Sequence, residues 1–214
     1  MELSGTKIAI LEIYCFYKFA TNLLSSYVNL QTINPLSYYW LSFTVLTGFW
    51  EYFYIRNRKQ IQDMSTQLLL KKEHVWHKNY NLDAVLPWNL SKIFYAEYGA
   101  HADREYMIIK DNWSNLIEGT HAIFCGINAY LALLVKTKYQ HDAFLIFTCT
   151  SMATQLMNSI LYIGEYIIQT KSIHHINYDR PNFPCGNNFN ARPFMYINIF
   201  WTIMPMYVIN DLLI

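Results

Sequence analysis

Five stretches of about twenty mostly apolar residues divide this chain, at 8–30, 36–55, 113–135, 143–168 and 193–214. A helix needs roughly 20 such residues to cross the hydrocarbon core of a bilayer. Composition agrees: 53% of the 214 residues are hydrophobic, 17% aromatic and only 14% charged, too apolar for an ordinary soluble domain. The mean hydropathy of +0.08 is held down by Tyr and Asn, and Tyr tolerates a membrane because its body is apolar and only its tip polar. The expected fold is therefore all-α, a polytopic membrane helix bundle of about five transmembrane helices, and the expected location is an integral membrane one. The segment 1–35 forms a transmembrane or interfacial helix, since Glu12 and Lys18 interrupt its apolar run. The region 56–112 reads as a polar connection with short amphipathic pieces at 68–70 and 93–98, and 170–192 as an irregular loop.

The net charge of +1 and the absence of a basic stripe exclude a nucleic acid partner. The four cysteines are scattered, without zinc spacing or a disulfide framework. His74 with His77, and His174 with His175, have no Cys or acidic partner at helical zinc-site spacing, so no metal and no cofactor is expected.

Polar residues recur at three- and four-residue intervals inside the apolar windows. Thr44, Thr47 and Glu51 do so in the second, and Asp111, Asn115, Glu118 and His121 in and just before the third. Gln155, Asn158 or Ser159, Tyr162 and Glu165 do so in the fourth, and Asn198 and Trp201 lie one turn apart in the fifth. Each set occupies one helix face. A carboxylate at the centre of a bilayer helix costs about 2.5–3.5 kcal/mol, so such groups normally face a protein interior. The stripes should turn toward one another and line a polar, aromatic-rich interior, a common place for a ligand. The blander roles are an N-cap for Asp111, an interfacial ion pair for Glu51, and interhelical packing for Asn198 and Trp201.

The run Glu97-Tyr98-Gly99 through Asp103-Arg104-Glu105-Tyr106, then Asp111, then Glu118, resembles the emopamil-binding protein family, the sterol Δ8–Δ7 isomerases, within the wider EXPERA group. Asn198, Trp201, Pro205 and Asp211 are similar to that family's last helix, and Gly48 and Glu51 to its second. The resemblance covers roughly 36–211 and makes 36–214 an EXPERA-like four-helix membrane domain. It implies a cofactor-free double-bond shift in the endoplasmic reticulum, in which the sterol alkene is protonated and a different ring proton is then removed. It makes Glu51, Glu118, His121 and Asp111 the catalytic candidates, and Asn198, Trp201, Tyr162 and Thr47 the substrate-binding ones. The implied partners are a sterol or another lipophilic or cationic amphiphile, membrane lipid, and a second copy of the chain. Three positions depart from the pattern. Thr47 stands where the isomerases have a His, Ser159 where they have an Asp, and His121 where they have a Thr. Either His121, on the face of Glu118, takes over the proton relay, or the chain binds without isomerising, as in the sigma-2 receptor branch.

Overall fold

The computed structural model describes residues 2–25, 32–102, 112–136, 140–170 and 194–212. Helices dominate it. A short strand β1 (Glu2–Ser4) leads into α1 (Gly5–Ser25), and α2 (Pro35–Lys71) follows. After a 3-10 turn at Val75–His77 come β2 (Asn79–Asn81), a second 3-10 turn, α3 (Pro87–Glu97) and a π-helical turn at Tyr98–Ala102. The remaining helices are α4 (Asn112–Lys136), α5 (His141–Thr170) and α6 (Phe194–Asp211). The all-α expectation is met apart from a two-stranded antiparallel ribbon that pairs Leu3 with Tyr80.

α2 is the organising element. Asn34 caps it by accepting from the Leu36 amide at 2.9 Å, and Pro35 opens its first turn. It runs for 37 residues instead of stopping near Ile55. The chain departs from helical angles at Asn57, whose amide donates to the Phe53 carbonyl at 2.8 Å. A side chain inserted into the carbonyl ladder bends a helix without ending it. Beyond the bend, Ile61, Ser65 and Leu68 keep one face buried, so the start of the region expected as a polar connection is an amphipathic continuation of the helix. Lys72, at φ 54°, ends the helix in the left-handed conformation.

One hydrophobic cluster joins α1, the second half of α2 and α3 around Ile8, Trp50, Ile61 and Leu90. The other joins the first half of α2 to α4, α5 and α6 around Leu41, Ala129, Met152 and Val208. The start of α2 is tied to the end of α6. The Asn34 amide donates to Asp211 at 3.0 Å and to the Tyr207 hydroxyl at 2.9 Å, and the Ser37 hydroxyl donates to Asp211 at 2.7 Å. α2 and α4 meet backbone to backbone, since a Cβ on Gly126 would lie 3.0 Å from the Gly48 Cα and 3.1 Å from the Thr44 carbonyl oxygen.

The outer surface inverts the usual order. Phe19 on α1, Ile146 and Leu161 on α5, and Phe200 on α6 are each more than 60% exposed, whereas Ser42, Thr44, Thr148, Ser151 and Ser159 are buried. Apolar outside and hydroxyl-bearing inside is the arrangement a bilayer imposes, because lipid solvates the former and not the latter. Gly5–Ser25, Gly119–Lys136 and His141–Gly164 are long and apolar enough to cross a membrane, as in an integral membrane protein. The five-span expectation is therefore met only in part, because the windows 36–55 and 193–214 are not among these three. In α2 the cause is visible in the sequence, where Tyr, Ser and Thr replace aliphatic residues. Glu12, which weakened the first window on sequence grounds, is 2% exposed and accepts from the Trp50 indole at 3.0 Å. It faces α2, not lipid.

Replacing Gly126 with Val should lower stability by about 1–3 kcal/mol, because the atoms it meets are backbone. Gly164→Ala, with nothing within 4 Å of the new Cβ, should gain about 0.5–1 kcal/mol. Thermal melts in detergent check the pair, and equal shifts would contradict the close contact.

Candidate functional site

Of the sequence-predicted residues, Glu51 and Asn198 are buried and Trp201 is half-buried, in two groups at different levels of α2. Glu51 is 3% exposed. Its Oε2 accepts the hydroxyl of Tyr95 from α3, and Tyr95 in turn stacks on Tyr54 with ring centres 4.4 Å apart. Burial first, and the Glu51 carboxylate second, hold the Tyr95 phenol well above its ordinary pKa, so Tyr95 is the donor of this bond.

The second group surrounds Trp201. Its ring stacks on Phe43 at 5.6 Å and lies 4.8 Å from Trp40. The Trp40 indole donates to Gln155 at 2.9 Å, and the Ser159 hydroxyl donates to the Trp201 carbonyl at 3.2 Å. Asn198 is buried one turn before Trp201 on α6. Phe43 and Trp40 precede Glu51 by eight and eleven residues, roughly 12–16 Å along a helix. Between the levels, Trp50 meets Phe43 edge-on at 6.1 Å and Phe94 at 5.3 Å. An aromatic row thus runs from α6 across α2 to α3.

The other candidates are placed as follows. Thr47 is half-buried and spends its hydroxyl on the Thr44 carbonyl at 3.0 Å. Tyr162 meets the Tyr98 hydroxyl at 3.3 Å, which brings α5 to the π-helical turn. His121 is half-buried on α4. Asp111 and the side chain of Glu118 lie outside the described residues.

Sequence reasoning missed Tyr95, Trp40 and Trp50. Trp40 was accessible to it, since it lies one turn before Thr44 on the same stripe. Tyr95 was not, because nothing in an 11-residue helix announces a partner 44 residues earlier.

A cavity of about 880 Å³ opens between α1, α2 and α4, lined by Phe16, Leu23, Val45, Phe49, Ile127 and Tyr130 among others. It uses a different face of α2 from the Thr44–Glu51 stripe, and none of the candidate residues whose side chains are described lines it. Its wall includes the Ser42 hydroxyl, buried and without a hydrogen-bond partner. No protein-family model, curated protein or solved structure matches this chain.

Tyr95→Phe removes a hydrogen bond to a buried carboxyl group and should cost about 1–3 kcal/mol. Adding Glu51→Leu should recover part of that loss. A double-mutant cycle by thermal melting measures it, and strictly additive losses would show that the pair is not coupled.

Proposed function

We propose that this chain is a membrane-embedded sterol isomerase of the Δ8–Δ7 type, acting in the endoplasmic reticulum. The observation that carries the reading is the Glu51–Tyr95 pair, a buried carboxyl group oriented by a phenol at one end of an aromatic row that ends at Trp201. Isomerisation needs a proton donor beside the ring alkene and a surround that tolerates a carbocation. Glu51 in its protonated form, with the proton on the oxygen that does not accept from Tyr95, supplies the proton, and a second base removes one from a different ring carbon, so no hydrogen is gained or lost overall. Glu118 and His121 on α4 are the candidates for that base, with Asp111 in support. The rings nearest Glu51, those of Tyr95 and Tyr54, favour a cation there, and Trp201 with the Asn198 amide orients the far end of the ligand. The length of the row suits a rigid polycyclic lipid. A second copy of the chain fits the same reading as a partner.

A specific observation favours a second reading, in which the chain binds a cationic amphiphile or sterol without turning it over. The Thr47 hydroxyl is committed to its own helix, so nothing at that position relays a proton as an imidazole does.

The sterol profile of cells that lack their own Δ8–Δ7 isomerase and express this chain separates the two. The isomerase reading expects Δ7 product from the wild type, a loss of about 100-fold or more in Glu51→Gln, and a smaller loss in Tyr95→Phe. Well-expressed wild-type protein with no Δ7 product would end it, and retained binding of a cationic amphiphile would then favour the second reading.

A further inference from the structure

Where α2 hands over to α3, outside the three apolar spans, the fold gathers His74, Glu97 and His101. Each offers a ligand atom within 4.8 Å of those of the other two. We propose that these three side chains bind Zn²⁺, through one nitrogen of each imidazole and one oxygen of the carboxylate, with a fourth position open to water.

The donor set is the first reason. Two imidazoles and a carboxylate suit a borderline-soft divalent ion that prefers four ligands, and an open fourth position is common at such centres. The side chain of His74 is 47% exposed, which leaves a path from solvent.

Orientation is the second reason. Metal-ligating histidines usually donate their other N–H to a carbonyl or carboxylate, which fixes the tautomer. The Nε2–H of His101 donates to the Glu73 carbonyl at 2.8 Å, and a carbonyl only accepts, so the lone pair of the neutral ring sits on Nδ1. Glu97, 6% exposed, is held in the same manner. Its Oε2 accepts the Val75 amide at 2.9 Å, leaving Oε1 to face His74 Nδ1 at 2.6 Å. The His74 and His101 rings stand 4.1 Å apart. Zinc replaces the proton shared by His74 and Glu97. With metal–ligand bonds of about 2.0–2.1 Å in a tetrahedron, their separation widens to about 3.3 Å.

On sequence grounds His74 is discounted because its pair with His77 has no Cys or acidic partner at helical zinc-site spacing. The partner comes instead from the last residue of α3, 23 positions after His74. His101 is presented by the π-helical turn that follows, a conformation frequent at functional sites. The site is independent of sterol chemistry and would staple the end of α2 to the end of α3.

Titration of the full-length chain in detergent with zinc chloride alone, followed by calorimetry, tests the assignment. One saturable equivalent is expected. His74→Gln and His101→Gln should each weaken it at least ten-fold, and a glutamine at 101 keeps a donor for the Glu73 carbonyl. His77→Gln, whose ring centre lies 6.4 Å from that of His74, should not weaken it. A readout needing no variant is the wild-type Tm, which should rise by about 5 °C or more at a zinc concentration near 100 times Kd and fall back with chelator. Wild-type protein without saturable binding or a Tm shift overturns the proposal. So does a zinc equivalent held at unchanged affinity by both glutamine variants.

Discussion

Trp40 with Gln155, Tyr95 with Glu51, and Trp50 with Glu12 solve one problem three times. A polar group turned away from water in an apolar bundle must find its partner inside the protein, and leaving it unmet costs several kcal/mol. In each case the partner is the N–H or O–H of an aromatic ring, which brings one polar atom into contact while its body fills apolar space. That is why a chain so rich in aromatic residues holds so few charges. α2 supplies a member of every pair, and the others come from α5, α3 and α1. The bend at Asn57 and the glycine contact with α4 leave that central helix able to meet all of its neighbours.

The inward stripes were legible because their periodicity is a property of one helix at a time. Thr44 and Glu51 on α2, Gln155 and Ser159 on α5, and Asn198 on α6 are all buried. The extent of α2 was not legible, for a physical reason. A search for apolar windows measures compatibility with lipid, and the helix continues past Arg56 and Lys59 on an amphipathic face that packs against protein. The same limit concealed the role of Glu12. In the sequence it weakens a span, and in the fold it is the acceptor that fixes the span to α2. Contacts between distant segments, such as Tyr95 with Glu51 and Glu97 with His74, leave no local trace at all. Asp111 and the side chain of Glu118, central to the sequence reading, lie outside the described residues.

The site candidates divide between two levels of α2, joined by a row of rings. The apolar cavity lies on another face. A ligand along the row would touch Trp201 at one end and Glu51 at the other, whereas one in the cavity would meet almost no polar atom beyond Ser42. The first place offers a buried carboxyl group, and the second an apolar lining. Thr47 sits on the stripe with its hydroxyl turned back to its own helix.

The central claim is that lipid, not water, surrounds this bundle, with the polar stripes turned away from it. Oxygen-collision accessibility of nitroxide labels placed singly along α5 from Met152 to Tyr162, in bilayers, tests it most directly. The account predicts a helical period with maxima at Met157, Ile160 and Leu161 and minima at Met152, Gln155 and Ser159. A flat profile, or one with the maxima at Gln155 and Ser159, would contradict it.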